Sequence, residues 1–154
     1  MHLYYLRMMY QCNALAQPGG LELAGVKIDL RKIDIPVYIL SAKEDHIAPW
    51  ESTFKATQLY AGDTTFVLAS SGHIAGVINP PVSNRYSYYT NTNNPETPED
   101  WLTTAEEHPG SWWGHWDNWV KKYAYGDVAP RSPGDGALKT IEDAPGSYVM
   151  VRSA

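Results

Sequence analysis

Two residues in this chain have the types and the placement to move a proton together. Asp45 closes the stretch Lys43-Glu44-Asp45, just after the apolar run PVYILSA at residues 36–42. His73 closes Ser70-Ser71-Gly72-His73, just after a second apolar run, TTFVLA, at residues 64–69. Both runs are continuous, of strand length and rich in β-formers, the pattern of buried strands in a parallel sheet. Residues 50–60 between them (WESTFKATQLY) predict a helix. Strand, helix and strand in that order form a unit whose strands are parallel and whose crossover is right-handed. Asp45 and His73 then rise on neighbouring loops from the carboxyl edge of the sheet, where open α/β sheets bind ligands. A carboxylate there can accept a hydrogen bond from one imidazole nitrogen and leave the other as a base. Spacing alone leaves a plainer alternative, with Asp45 as a loop cap and His73 as an ordinary polar loop residue.

Acid before histidine is the order of the α/β-hydrolase triad, in which the nucleophile precedes both. No G-x-S-x-G or G-x-C-x-G elbow occurs among the 154 residues. Cys12, the one cysteine, lies in MMYQCNALA, a helical pattern without an elbow glycine, and reads as a small packing residue. Ser70 and Ser71 lie too near His73 for the usual order. Gly72 is expected to permit a tight turn before the histidine. His46 adjoins Asp45 in the chain and is expected to steady the loop rather than pair with it. His2, His108 and His115 read as helix-surface or core histidines, and no metal-binding spacing emerges from them.

The elements that must position this pair follow from pattern and punctuation. Residues 2–16 predict a helix on the spacing of Leu3, Leu6 and Tyr10, stopped by Pro18-Gly19-Gly20. Residues 21–29 predict a short strand or hairpin with Gly25 at its turn. Residues 79–98, rich in Pro, Asn, Ser and Tyr, read as a long irregular loop. A helix is expected from Thr97 or Pro98 through Glu107, with Thr97 and Asp100 resembling a capping box. After Pro109-Gly110, residues 111–124 predict a helix with Trp112, Trp116, Trp119 and Tyr123 on one packed face. Residues 126–136 read as a loop, and the final YVMVRSA as a short strand. The expectation is a single partial catalytic domain over 1–154, with 126–154 its least defined part.

A net charge of −5 offers no basic footprint for nucleic acid. Lys and Arg are scattered, without a polybasic run for an anionic membrane. No apolar stretch approaches bilayer-spanning length, and the first residues lack a signal-peptide pattern. One cysteine excludes an internal disulfide framework, so a reducing, cytoplasmic setting is expected.

Longer motifs give the pair a family context. Glu44-Asp45-His46-Ile47-Ala48-Pro49-Trp50, and the run from Ser71 to Pro81 (SGHIAGVINPP), resemble the acid and histidine segments of class I polyhydroxyalkanoate synthases. Gly110-Ser111-Trp112-Trp113 is similar to a further segment of that family. Tyr5-Leu6-Arg7, Asn13, Leu15, Pro18-Gly19 and Asp29-Leu30 resemble the approach to the acid strand. The likeness fades after about residue 126.

This resemblance implies the C-terminal portion of an α/β-hydrolase fold, with its last parallel strands, its C-terminal helices and an incomplete sheet. It implies an enzyme that polymerises 3-hydroxyacyl groups from coenzyme A thioesters into an intracellular polyester, without metal or redox cofactor. A cysteine in a lipase-like box carries the acyl group; His73 matches the histidine that deprotonates it, and Asp45 the aspartate that activates the incoming hydroxyl. Trp50, Ile74, Val77 and Ile78 are candidates to line an acyl tunnel, though core packing is the plainer role for each. With neither the box nor the upstream sheet in these residues, the chain is expected to be inactive alone. An uncovered sheet edge and apolar face predict dependence on a partner, or aggregation. A homodimer and the polyester granule surface are the partners to expect beside the acyl-coenzyme A substrate and the polyester chain. Two other readings remain: the end of another α/β-hydrolase, such as an esterase or thioesterase, and a non-catalytic remnant that docks on a synthase or granule.

Overall fold

The computed structural model describes residues 1–152. They fall into two units, one over residues 1–122 and one over residues 123–152. The first opens with α1 (His2–Tyr5), whose turns widen to π-helical ones over Leu6–Gln11. The single helix expected to residue 16 is therefore broken. Asn13 takes a left-handed conformation at φ 46°, and a 3₁₀ turn follows at Ala14–Ala16. The physical reason is a lack of packing. No residue of the first two segments is buried, and helices owe most of their stability to a buried face. The expected hairpin does form, from β1 (Leu21–Leu23) and β2 (Val26–Ile28). Its two turn residues, Ala24 and Gly25, have φ values of 51° and 79°, the left-handed pair that short hairpin turns require.

The main sheet has four strands. β3 (Val37–Ala42) and β4 (Thr64–Ala69) are parallel, in register from Val37 opposite Thr64 to Ala42 opposite Ala69. Between them lie the Asp45 loop and α2 (Trp50–Phe54), which tightens into a 3₁₀ turn at Lys55–Gln58. β5 (Ser87–Thr90) runs antiparallel to β4, and β6 (Glu106–Pro109) antiparallel to β5. The order β3-β4-β5-β6 makes a mixed α/β sheet, and β3 has no outer neighbour among the described residues.

Two expectations are corrected here. β5 lies inside the stretch read as an irregular loop, and β6 takes residues assigned to a helix end. α3 (Pro98–Thr104) stops because Ala105 turns extended. Its start is as expected: the Thr97 side chain accepts from the Asp100 amide, and Pro98 opens the first turn.

One face of the sheet packs Phe66 and Leu68 under Trp50, Phe54 and Trp101 from α2 and α3. Phe66 meets Trp101 edge to face at 5.0 Å and Phe54 at 5.1 Å, the favoured aromatic geometry. The other face is covered by α4 (Trp113–Lys121), where Tyr38 touches Trp112, His115 and Trp119. Trp116 stays 43% exposed, so the packed stripe is Trp112–His115–Trp119 rather than the expected tryptophan row. Steps of three and seven residues straddle the contact line, and Trp116 falls on its flank.

The second unit has no buried residue among those described. Its regular element is a 3₁₀ turn at Tyr148–Met150, where a strand was expected. The last two residues of that expected strand lie outside the described part. Local polar contacts shape this unit; Glu142 Oε1 accepts from the Ser147 amide at 2.9 Å and its hydroxyl at 3.0 Å. Among the described residues no helix is long and apolar enough to cross a membrane.

Candidate functional site

The pairing of β3 with β4 does not stop at the strand ends. The Lys43 amide donates to the Ala69 carbonyl at 2.8 Å, and the Glu44 amide to that of Ser71 at 3.0 Å. These bonds tie the acid loop to the histidine loop. The Asp45 amide folds back onto the Ala42 carbonyl at 3.1 Å. Its side chain then divides its two oxygens. Oδ1 accepts from the amides of Ile47 at 2.8 Å and Ala48 at 3.0 Å. Oδ2 faces His73 Nδ1 at 2.7 Å. Asp45 is thus both the loop cap and the histidine's partner, and the two readings of its sequence position merge.

Electrostatics fix the direction of that bond. The Ala48 amide, then the His73 ring, hold the Asp45 carboxyl well below its ordinary range, at about 2. Near neutral pH the carboxylate is ionised and can only accept, so Nδ1 carries the proton and donates. In the neutral ring Nε2 is then the lone-pair nitrogen. It has no protein partner among the described residues, and the His73 side chain is 48% exposed against 9% for Asp45. The pair is a covered acceptor holding an accessible base.

The histidine loop is one irregular helical turn, with the Gly76 amide donating to Gly72 O at 2.9 Å and the Ile78 amide to Ile74 O at 2.8 Å. The glycine this turn requires is Gly76, not Gly72 as expected. A Cβ on Gly76 would lie 2.8 Å from the Ser70 carbonyl and 3.1 Å from the Ala42 Cβ. On Gly72 it would lie an ordinary 3.8 Å from the Glu44 carbonyl. The sharp bend before His73 is taken by Ser71, at φ 78°. Ser70 anchors the loop to β5 through its hydroxyl, which accepts from the Ser87 amide at 2.9 Å.

Support from Asn79 and from the turn into α4 is what sequence reasoning missed. Buried Asn79 accepts from the Arg85 amide at 3.1 Å, and its side-chain amide donates to the Arg85 carbonyl. Ser111 donates its hydroxyl to the Asn79 carbonyl. The indoles of Trp112 and Trp113 both donate to the Val77 carbonyl, at 3.2 and 3.1 Å. Asn79 and the Gly110–Trp113 motif stood out in the sequence without a role; adjacent tryptophans after a Gly-Ser turn were the available signal.

The other candidates separate. Trp50 belongs to the core; Val77 is half-buried. Ile74 and Ile78, on the same loop as His73, are 71% and 62% exposed. His46 is exposed and not a partner of Asp45, whose oxygens are taken by Ile47, Ala48 and His73. Cys12 is exposed just past the π-helical turns. His108 lies on β6, not on a helix, and its Nε2 meets the Thr90 hydroxyl at 2.8 Å. His115 meets the Tyr38 hydroxyl at 2.9 Å, and burial lowers its pKa. Among the described residues no cluster of His, Cys, Asp and Glu is placed to hold a metal.

Fold and site define an α/β chain whose sheet edge presents a carboxylate-held imidazole. The chain is 46% identical over 151 residues to the poly(3-hydroxyalkanoate) polymerase subunit PhaC of Cupriavidus necator, covering 97% of this chain and 26% of that one. It is 46% identical over 152 residues to the same subunit of Rhizobium etli, covering 99% and 24%. To the poly(3-hydroxyalkanoate) polymerase of Methylorubrum extorquens it is 43% identical over 153 residues, covering 99% and 25%. No family model matches. The chain belongs to the poly(3-hydroxyalkanoate) polymerase family and corresponds to its C-terminal part. It spans about a quarter of the length of the curated relatives it matches.

Proposed function

We propose that this chain supplies the acid–base half of a thioester-dependent acyl transfer that builds poly(3-hydroxyalkanoate), with His73 as the base and Asp45 as the carboxylate that holds it. The single observation behind this is the 2.7 Å Asp45–His73 contact, with Nε2 left open at the sheet edge. The parallel strands and the acid-then-histidine order support a piece of an α/β-hydrolase fold.

The chemistry follows from the ring's tautomer. Nε2 takes the proton of a cysteine thiol supplied from outside these residues, and the thiolate attacks the 3-hydroxyacyl thioester. The acyl–sulfur bond to coenzyme A breaks, a new one forms to the cysteine, and the imidazolium returns its proton to the leaving thiolate. In the growth step Nε2 takes the proton of an incoming 3-hydroxyl, whose oxygen attacks the acyl-cysteine and displaces its sulfur. Asp45 stays ionised throughout and stabilises the imidazolium. No metal or redox cofactor enters these steps. The exposed Ile74 and Ile78 give the acyl chain an apolar approach. A cytoplasmic setting at the granule surface, and a second polymerase chain as partner, accord with this reading.

The test combines this chain with the cysteine-bearing region of a polymerase and follows coenzyme A release from 3-hydroxybutyryl-coenzyme A. Release that needs both parts, and fails with His73→Ala, is expected. Association without turnover would instead favour a docking remnant. Release by the cysteine-bearing region alone, unchanged by adding this chain, would refute the proposal.

A further inference from the structure

The Val77 carbonyl carries an unusual load. Three N–H groups converge on it, the indoles of Trp112 and Trp113 at 3.2 and 3.1 Å and the Asn79 amide at 3.1 Å. Val77 closes the helical turn that begins at Gly72, so its carbonyl is among those a turn's end leaves without an internal partner. The two indoles stand side by side at the start of α4, their rings 6.3 Å apart, and reach across to the same atom. His73 sits on the first turn of that segment, four residues before Val77.

We infer that Trp112 and Trp113 are positioning residues for His73, acting through the Val77 carbonyl to hold the histidine loop at its distance from Asp45. The inference rests on the reading of Asp45 and His73 as a working pair, and adds to it the residues that keep the pair together. Ser111 and Asn79 fix the same loop one step further on, which leaves the indoles to set the end of the His73 turn. Three bonds from two neighbouring residues and the loop itself over-determine one carbonyl, the arrangement that keeps a loop in a single geometry.

The test uses the full chain and replaces each indole by a ring without a donor. Trp112→Phe, Trp113→Phe and the double variant keep apolar packing and lose one or both N–H groups. The readout is the His73 Nδ1 proton, followed by NMR with ¹⁵N-labelled histidine, which reports both the tautomer and the exchange of that proton with water. Each single variant is expected to speed exchange roughly tenfold, the equivalent of one lost hydrogen bond. The double variant is expected to show a mixture of Nδ1–H and Nε2–H tautomers. Asp45→Asn serves as the reference for complete loss of the tautomer preference. Folded single variants with exchange unchanged from the parent chain would overturn the inference, even if the double variant unfolds. The two claims fail separately. An Nδ1–H tautomer indifferent to Asp45→Asn sinks the pair itself, whereas one sensitive to Asp45→Asn but not to the indoles sinks only the clamp.

Discussion

The parallel and antiparallel halves of the sheet divide the labour. β3 and β4 end in the loops that carry Asp45 and His73, and their pairing continues through Lys43 and Glu44 to bring those loops together. β5, β6 and the turn into α4 carry neither member of the pair. They hold Ser70, Val77 and Asn79, the points at which the histidine loop is fastened. The difference teaches that the proposed chemistry is local to two adjacent strand ends, whereas its support is borrowed from chain 17 to 36 residues further on. Side chains on short loops are only as fixed as the elements that support those loops.

The most damaging change strikes what both halves share. Trp101→Ala removes the fully buried ring that meets Phe66 edge to face and is expected to cost about 3–5 kcal/mol, read as loss or a large downward shift of the urea transition. A variant that retained that transition at an unchanged midpoint would mean the aromatic core is not what unites the sheet.

Asn79→Ala loosens the end of the histidine loop without touching the pair. It leaves the Arg85 amide without its side-chain acceptor and is expected to cost about 1–3 kcal/mol, read as a lower urea midpoint together with weaker amide protection over 72–85. Equal protection before and after would show that the loop is not held from this side.

Two glycines sharpen the comparison within the histidine loop. Gly76→Ala must push against the Ser70 carbonyl and the Ala42 Cβ, and is expected to destabilise by about 1–3 kcal/mol. Gly72→Ala makes only an ordinary contact with the Glu44 carbonyl and should stay within about 0.5 kcal/mol. Thermal melts of the two variants decide the matter; a reversed ranking would mean that the loop packs differently on β3.

This pair of glycines also shows how far the sequence could be read. β3 and β4 announced themselves as apolar runs, and Asp45 and His73 as the polar residues closing them, so the contact between the two was legible. Gly72 attracted notice because it adjoins the histidine, but the close approach occurs at Gly76, which only the folded backbone reveals. Tyr88 and Tyr89 are ordinary strand residues, yet the surrounding Pro and Asn hid β5. Glu106 to Pro109 is polar enough to read as a helix end, and β6 exists because β5 offers it an edge. At residues 2–16 the periodicity was present and the helix still broke, since period supplies a face but not the partner to bury it. The clamp on Val77 spans about 35 residues and depends on tertiary contact throughout.

The smallest effect expected is in the acid limb of stability. Asp45 has its carboxyl depressed to about 2 in the fold, against an unfolded value of about 3.9. A depressed carboxyl stabilises the fold at pH above the unfolded value, and that contribution fades as pH falls toward the folded one. Asp45→Asn should therefore narrow the stability gap between pH 5 and pH 2, measured by urea midpoints across that range. An identical slope in the variant would contradict the bonding assigned to Asp45.

The central claim is that Asp45 and His73 act as one unit, and a double-mutant cycle on acyl transfer tests it most directly. In a polymerase assembled with this chain, Asp45→Asn should lower turnover of 3-hydroxybutyryl-coenzyme A by about 10²- to 10⁴-fold. His73→Ala should lower it at least as far. The double variant should be no slower than His73→Ala alone, because an aspartate without its imidazole has nothing to hold. Losses that multiply in the double variant would show the two residues working independently, and the pair would then be a loop contact rather than the proton-transfer unit of this chain.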